Sequence, residues 1–305
     1  MPEGDTVWRT ARRLHAALTG VPLVTLEVRW GDHGGSDLLP ATTVDVVSRG
    51  KHVLHHLDNG VTLHTHLRME GRWQVAGTAR VTANDLANPQ VRVLAQTATW
   101  TALGLRLGQV DIWPTSADQE RLGHLGPDLL GPDWDLDRAL ANVARQADQP
   151  IAAALLDQRN LAGIGTFWAA EGLFQGRISP WTPVADVPAT QITDIVTAIR
   201  RLMRQSSLSA VQSSTGRNRR GETAYVHARS GRPCLVCGED VRVARLGTAA
   251  NDRVIFYCAR CQGGLAPTDD GARQEPLGSA RPRTGNEDSR RSLRPQTPRL
   301  RRREV

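Results

Sequence analysis

Residues 234–261 read CLVCGEDVRVARLGTAANDRVIFYCARC, and this stretch contains all four cysteines of the chain. The cysteines form two Cys-x-x-Cys pairs that are separated by twenty residues. Two pairs at this spacing are typical of a tetrahedral zinc site whose pairs are joined by a β-hairpin. Four thiolates close the coordination shell, so a single zinc ion here has a structural role. Two redox-active dithiols are the alternative. The predicted ligands are Cys234, Cys237, Cys258 and Cys261.

The predicted finger, residues 229–265, also carries several basic side chains. A zinc-held hairpin can enter a groove of nucleic acid and place arginines on phosphates. A zinc ribbon that contacts another protein is the alternative for this segment. The arginines concerned are Arg242, Arg245, Arg253 and Arg260.

The first 113 residues change from a helical to a β-type pattern. Val7, Ala11, Leu14 and Leu18 share one face, which predicts a helix over residues 6–19 with Asp5 or Thr6 as its N-cap. Short β-rich runs separated by turn signals follow, and they predict a β-sandwich or barrel. These runs are 23–30, 43–48, 53–57, 61–66, 72–75, 98–103 and 109–113.

The rest of the chain divides by composition. Helical apolar spacing recurs over 136–146, 150–156, 164–175 and 192–203. We therefore predict an α+β multidomain protein, whose final segment is rich in Arg, Pro, Ser and Gly. Its parts are a β-sandwich domain with a leading helix (1–115), a linker rich in Gly, Pro and Asp (116–135), a helical domain (136–228), the finger (229–265) and a disordered basic tail (266–305).

The composition excludes several classes of protein. The chain has 305 residues, of which 40% are hydrophobic, so collagen-like and wholly disordered proteins are excluded. It has no apolar run long enough to span a membrane, and its N-terminus has no signal-peptide pattern, so we expect a cytoplasmic protein. The net charge of +7 is compatible with a nucleic-acid partner and equally with a mildly basic soluble protein.

Lys51 is the only lysine among the 38 lysine and arginine residues. A GC-rich genome favours arginine codons, so a lysine retained against that bias indicates a site where arginine will not serve. Lysine carries a compact charge whose pKa can shift, whereas arginine stays protonated. Chance survival is the alternative.

The N-terminal sequence Met-Pro-Glu-Gly contains groups that could take part in catalysis. Removal of Met1 would expose the secondary amine of Pro2, and a free α-amino group has a pKa of about 7.7–8.0. Such an amine attacks carbonyl-like carbons and forms Schiff bases. Glu3 beside it can act as an acid if its surroundings raise its pKa, and Gly4 is expected to let a substrate approach closely. Many proteins begin with Met-Pro without any such chemistry.

Four features in this order resemble the formamidopyrimidine-DNA glycosylase/endonuclease VIII family. They are the N-terminal Met-Pro-Glu-Gly, Gly50-Lys51-His52, Gly163-Ile164-Gly165 and the cysteine hairpin ending in Cys261-Gln262. The resemblance covers residues 2–264, and Gly4 points to the endonuclease VIII branch as a divergent bacterial member. It implies an N-terminal β-sandwich with a leading helix, a helix–two-turn–helix domain and a zinc finger.

The resemblance also implies a reaction. Such enzymes flip an oxidised base, here chiefly a pyrimidine, out of duplex DNA, cut the N-glycosidic bond and nick the strand by β,δ-elimination. Pro2 matches the nucleophile that attacks C1′, and Glu3 matches the acid that helps open the sugar. Lys51 matches a phosphate-binding lysine assigned to proton transfer, and Arg253 matches the finger arginine assigned to phosphates and δ-elimination. We expect a monomer that acts on damaged DNA in the bacterial nucleoid, with zinc as its only cofactor.

The predicted DNA contacts include departures from the family pattern. Met69 matches the apolar wedge that fills the gap left by a flipped base. Gly165 belongs to the phosphate-binding turn, but Thr166 stands where the family has asparagine. Arg68 replaces a glutamine, and His124 replaces an arginine. These changes allow a preference for single-stranded or bubble substrates.

Two further predictions and two alternative functions remain. Glu171 matches a family glutamate and is expected to hold the 163–166 turn. His55, His56, His64 and His66 are assigned packing or surface roles. A non-catalytic DNA-binding protein on the same scaffold is the main alternative function. A zinc-ribbon module for protein interaction is a weaker one, because it leaves the N-terminal motif unexplained.

Overall fold

The computed structural model describes residues 2–247 and 253–276. Helices and strands follow the predicted order, with α1 before the sandwich strands, helices in the middle and a final hairpin. The helices are α1 (Gly4–Leu18), α2 (Ala83–Leu86), α3 (Asp118–Leu122), α4 (Leu136–Ala144), α5 (Ile151–Leu156), α6 (Thr166–Gln175) and α7 (Ala189–Ser207). The strands are β1 (Thr25–Val28), β2 (Thr43–Arg49), β3 (His52–Leu57), β4 (Val61–His66), β5 (Arg72–Gly77), β6 (Val91–Gln96), β7 (Trp100–Leu105), β8 (Gln109–Pro114), β9 (Arg242–Arg245) and β10 (Val254–Tyr257).

The first domain is a sandwich of two antiparallel sheets, as predicted. One sheet has the order β1-β6-β7-β5 and the other has the order β2-β3-β4-β8. Helix α1 packs on β2, and its apolar face joins the buried cluster to which both sheets contribute. Val7, Leu14 and Leu18 are therefore almost completely buried. This helix carries the N-terminal motif, so packing of its apolar face positions Glu3.

Two details of this domain differ from the sequence prediction. Helix α1 begins at Gly4 with Glu3 as its N-cap, so Asp5 and Thr6 lie inside the helix instead of capping it. Strand β6 is absent from the predicted runs. Its pairing with β7 shifts register between Val91 and Val93, and a bulge of this kind interrupts the alternation that identifies a strand in sequence.

The segment predicted as a linker, residues 116–135, is packed into the molecule. It contains α3, and Leu125 and Leu129 are buried. Its Gly and Pro residues form turns whose backbone pairs with a neighbouring loop: Gly126 N–H donates to the Gln158 carbonyl at 2.9 Å. The side chain of Asp128 accepts a hydrogen bond from Gly50 N–H at 2.8 Å, which joins this segment to the sandwich.

The helical domain has its own apolar core. Trp168, Leu155 and Ile199 from three helices are fully buried in one cluster. Helix α7 also packs against α1 of the sandwich. None of the helices among residues 2–247 and 253–276 is both long enough and apolar enough to cross a membrane.

The cysteine segment forms the antiparallel hairpin β9–β10, in which Arg242 lies opposite Tyr257. The disorder predicted from residue 266 onward is not found over residues 266–276, which are ordered against this hairpin. Asp269 pairs with Arg242 and accepts a 2.6 Å hydrogen bond from the Tyr257 hydroxyl. The Gln274 side chain exchanges two hydrogen bonds with the backbone of Val243. The rest of the predicted tail, 277–305, lies outside the described residues.

Candidate DNA-lesion site

The side chain of Glu3 closes the N-terminus of helix α6. Its Oε2 accepts hydrogen bonds from Gly165 N–H at 2.8 Å and Trp168 N–H at 3.3 Å, and its Oε1 accepts one from Phe167 N–H at 2.8 Å. The N-cap residue of α6 is Gly165, which has no side chain that could supply such a bond. Unpaired N–H groups at a helix N-terminus favour a carboxylate. The fold therefore uses the fully buried Glu3 to join the N-terminal motif to the 163–165 turn.

Two glycines allow this close approach between distant parts of the chain. A Cβ added at Gly165 would lie 2.4 Å from the carboxyl carbon of Glu3. A Cβ added at Gly4 would lie 3.0 Å from the Gly163 Cα and 2.9 Å from the Met203 Cε. Gly4 N–H also donates to the Gly163 carbonyl at 2.9 Å. Gly4 thus allows close contact between the two domains. From the sequence it was expected to make room for substrate.

Lys51 lies within electrostatic range of both Glu3 and Arg253, although all three are far apart in sequence. Burial raises the pKa of Glu3, and the charge of Lys51 together with the helix N–H groups opposes that rise. Burial lowers the pKa of Lys51; the charge of Glu3 opposes this change and the charge of Arg253 reinforces it. An acid with a raised pKa beside an amine with a lowered pKa is suited to proton transfer near neutral pH.

Pro2 and Thr166 complete the centre of the site. Pro2 is half-buried and directly precedes Glu3, so the chain holds its nitrogen at the edge of the same site. Thr166 is half-buried in the first turn of α6, next to the N–H groups that bind Glu3. The structure therefore brings together the predicted residues Pro2, Glu3, Lys51, Gly165, Thr166 and Arg253.

Arg68, Met69 and His124 lie on the sandwich side. Met69 is at the tip of the turn between β4 and β5, where 67% of its surface is exposed to solvent. Arg68 adopts a positive φ of 54°, and its guanidinium donates to the Gln109 side chain at 3.3 Å. His124 is exposed, and the charges of Arg68 and His124 both act on His52. These residues form a basic wall with an exposed apolar tip.

The four cysteines cluster as a metal site would require. Their sulfur atoms all lie within 4.8 Å of one another. Cys237 and Cys258 sulfurs are 3.5 Å apart, and those of Cys234 and Cys261 are 4.0 Å apart. Tetrahedral zinc with Zn–S bonds of about 2.3 Å places its sulfurs ~3.8 Å apart, so this geometry fits zinc. No disulfide joins any two of these four cysteines.

Glu171 has a different role from the one predicted. Its fully buried carboxyl group accepts hydrogen bonds from the N–H groups of Tyr225, Val226 and His227 at 2.8–2.9 Å and from the Ser214 hydroxyl. It therefore holds the 214–227 segment, and Glu3 holds the 163–165 turn. Burial raises the pKa of Glu171 despite these donors.

An acid that was not predicted from the sequence lies beside the histidines. His64 Nδ1 lies 2.9 Å from the carboxylate of Asp111, and His64 Nε2 lies 2.8 Å from His52 Nδ1. Asp111 is on β8, the neighbour of β4 in the sheet, so spacing along one strand does not reveal it. A pairing of β4 with β8 would have placed Asp111 opposite His64.

Comparison with known proteins shows the family and the fold of this chain. Residues 1–112 match the family model "Formamidopyrimidine-DNA glycosylase N-terminal domain", and residues 125–217 match "Formamidopyrimidine-DNA glycosylase H2TH domain". A crystal structure of the formamidopyrimidine-DNA glycosylase of Lactococcus lactis, non-covalently bound to DNA containing an AP site, superposes with a TM-score of 0.70. It covers 86% of this chain and 99% of that chain at 19% identity, and therefore establishes the fold.

Sequence relatives are considerably more similar. "Probable endonuclease 8 2" of Streptomyces coelicolor is 44% identical over 89% of this chain and 97% of the relative. "DNA-(apurinic or apyrimidinic site) lyase Nei2" of Mycolicibacterium smegmatis is 36% identical over 86% of this chain and 99% of the relative. The chain belongs to the formamidopyrimidine-DNA glycosylase family. Within it, the chain groups with enzymes named endonuclease 8 and AP lyase.

Proposed function

We propose that this enzyme is a bifunctional DNA glycosylase and AP lyase that excises oxidised bases, chiefly pyrimidines, and then nicks the strand by β,δ-elimination. The observation that carries the proposal is the buried Glu3 carboxyl group at the N-terminus of α6, next to Pro2 and within range of the charge of Lys51, on which Arg253 acts in turn. These residues come from the N-terminus, the β2–β3 turn and the finger. Binding to α6 explains the position of Glu3 but not those of Lys51 and Arg253.

Each residue then has a role in a two-stage reaction. After removal of Met1, the Pro2 amine attacks C1′, the bond from C1′ to the base breaks, and the base leaves with the amine proton. The bond from C1′ to the ring oxygen then breaks as the nitrogen lone pair forms the Schiff base. Glu3, whose pKa is raised, protonates that oxygen. Lys51, whose pKa is lowered, transfers a proton in the β-elimination. Arg253 holds phosphate and assists the second elimination.

The surrounding residues would hold damaged DNA. Phosphates would contact Lys51, Arg253 and the 163–166 turn, where Thr166 offers a shorter donor than the asparagine typical of the family. Met69 would fill the gap left by the flipped base and offset part of the unstacking cost. The replacements at Arg68 and His124 support activity on single-stranded or bubble DNA as well as duplex. We expect a monomer located with the bacterial nucleoid.

One zinc ion would be held by Cys234, Cys237, Cys258 and Cys261. The sulfur spacing fits tetrahedral coordination, and four thiolates leave no open position for water. The metal would therefore stabilise the finger without taking part in the reaction. It ties β9 to β10, and residue 253 immediately precedes β10.

Borohydride trapping tests the proposal directly. Purified protein with Met1 confirmed absent is offered duplexes that carry an abasic site or an oxidised pyrimidine, together with their single strands. We expect a covalent adduct that disappears in Pro2→Gly, and loss of base excision but not of abasic-site trapping in Glu3→Gln. Absence of any adduct would favour the alternative of a DNA-binding protein without catalysis.

A further inference from the structure

A chain of three hydrogen-bonding side chains crosses the sheet beside Lys51. The Asp111 carboxylate on β8 lies 2.9 Å from His64 Nδ1 on β4, and His64 Nε2 lies 2.8 Å from His52 Nδ1 on β3. His64 is only 1% exposed, and the Trp113 ring stacks on it at 4.8 Å. The middle of the chain is thus fixed by packing. Its two ends, Asp111 and His52, are both half-buried, and His52 forms the outer end.

The position of each proton follows from the chemistry of the groups. A carboxylate only accepts, so His64 Nδ1 carries a proton and donates it to Asp111. Neutral His64 then has an unprotonated Nε2, which accepts from His52 Nδ1. His52 therefore presents an unprotonated Nε2 at the outer end.

The charges around this chain have opposite signs at its two ends. The charges of Arg68 and His124 lower the pKa of His52. The His66 ring meets the His52 ring edge-on, with the ring centres 4.9 Å apart. The charge of Lys51 lowers the pKa of His66. At the other end, the charges of Asp111 and Asp118 raise the pKa of His64. Asp111 also accepts a hydrogen bond from the Gln109 side chain at 2.8 Å. Burial and the neighbouring cations lower the pKa of His52 to about 2 and that of His66 to about 4, and burial also lowers that of His64.

We propose that Asp111, His64 and His52 form a proton relay that couples binding of a DNA phosphodiester to uptake of a proton. The inference rests on the proposed function, because the anion is a DNA phosphate placed against the basic wall of Arg68 and His124. A solvent proton adds to His52 Nε2, which then donates to the phosphate oxygen. The proton on His52 Nδ1 moves to His64 Nε2, and His64 becomes an imidazolium paired with Asp111.

The relay explains why an acid stands at the far end of the chain, against the buried His64. An imidazolium at His52 would stand beside Arg68 and His124, where like charges disfavour it. Transfer along the chain moves the positive charge to His64, against the Asp111 carboxylate, where opposite charges attract. His52 remains neutral and still offers an N–H donor to the phosphate. Without an anion at the outer end, burial outweighs the attraction of Asp111 and Asp118 and keeps His64 neutral.

Proton uptake on DNA binding is measurable by titration calorimetry. The probe is a duplex with a tetrahydrofuran abasic-site analogue, which binds without reacting, in two phosphate-free buffers that differ in ionisation enthalpy. We expect net proton uptake by the wild-type enzyme. The dissociation constant should rise with pH, by up to about tenfold per pH unit, where the pH lies above the pKa of the relay in the free enzyme and below its pKa in the complex.

Two variants and a matched control identify the relay. Asp111→Asn keeps a hydrogen-bonding side chain but removes the charge that stabilises the His64 imidazolium, and His52→Gln removes the outer nitrogen. Both should bind DNA with little proton uptake and a flattened pH dependence. Asp45→Asn is the control, because Asp45 pairs with His56 in the same sheet but outside the relay, and it should retain the wild-type uptake.

The outcomes separate this inference from the proposed function. DNA binding without proton uptake by the wild type would overturn the relay and leave the enzyme assignment intact. Uptake that persists in Asp111→Asn would also overturn it and would assign the proton to another group of the site, such as Lys51 or His66. Failure to bind the abasic-site duplex at all would overturn both.

Discussion

At Glu3, burial and hydrogen bonding act on the pKa in opposite directions, and burial has the larger effect. Three N–H donors hold the carboxyl group in place. A residue held in this way keeps its position when its protonation changes, as repeated proton donation requires. The same contacts make the residue sensitive to changes in the turn that supplies them.

Gly165→Ala should displace Glu3. The added Cβ would lie 2.4 Å from the Glu3 carboxyl carbon and Oε1, so the side chain or the turn must move. We expect a stability loss of about 1–3 kcal/mol, and base excision reduced about a hundredfold or more because a positioned general acid is lost. Single-turnover excision and thermal unfolding measure both. Gly77→Ala is the control, since its Cβ would meet nothing closer than 3.9 Å; an equal loss there would contradict the argument.

Arg253→Gln should shift the pH dependence of the lyase step. The Arg253 charge helps to lower the pKa of Lys51, so its removal raises that pKa and Lys51 loses its proton only at higher pH. The limb of the single-turnover profile that reports Lys51 should therefore move to more alkaline pH, measured at saturating DNA. Arg260→Gln, a change at another exposed finger arginine, should leave the profile in place. An unshifted profile in Arg253→Gln would show that the charge of Arg253 does not influence the pKa of Lys51.

Among the elements, the finger hairpin depends on residues beyond its second cysteine pair. The Asp269 side chain is 1% exposed and pairs with Arg242 of β9, and it also accepts from Tyr257 of β10. Arg242 holds the pKa of Asp269 well below its usual value. Its contribution to stability is therefore present above a pH of about 4 and is lost as the pH falls.

Asp269→Asn should loosen the hairpin. Breaking a buried pair typically costs about 3–5 kcal/mol, because the partner is left without compensation. We expect faster release of zinc to a chelator and weaker binding of abasic-site DNA. Asp270→Asn is the matched control, because Asp270 is exposed and its side chain bonds only a nearby backbone N–H. Equal rates of zinc release to the chelator in the two variants would show that the residues after the finger do not stabilise it.

At the scale of the whole molecule, the active site depends on contact between the two domains. Asp5 on α1 is fully buried and accepts from the Trp168 indole at 3.1 Å, the Ser206 hydroxyl at 2.6 Å and the Gln212 amide at 2.9 Å. Every one of these donors belongs to the helical domain or the segment that follows it. Asp5 thus fixes the orientation of α1, on which Glu3 depends.

Asp5→Ala should weaken the coupling between the domains. Each buried donor left unpaired costs about 1–3 kcal/mol. We expect a lower melting temperature and separation of unfolding into two calorimetric transitions, with loss of base excision. Asp37→Ala removes an exposed carboxylate of the sandwich and should change none of these. A single wild-type-like transition in Asp5→Ala would show that other contacts join the domains.

The sequence by itself determined the features that local patterns encode. Cysteine spacing predicted the finger, apolar periodicity predicted α1 and α7, and alternation predicted most strands of the sandwich. Four short motifs in order indicated the family. These signals are read between residues a few positions apart, where backbone geometry alone decides which side chains share a face.

Tertiary structure alone decided the partners of the buried polar groups. Glu3 binds α6, Glu171 holds the 214–227 segment, and Asp111 lies opposite His64, although nothing near any of them in sequence indicates this. Residues 266–276 likewise lie against the hairpin because Asp269 meets Arg242 and Tyr257 and because Gln274 meets Val243. A buried carboxyl group must be paired, but which donor it meets depends on how whole elements pack. For that reason the chemistry of the site could be predicted from residue types, whereas its geometry could not.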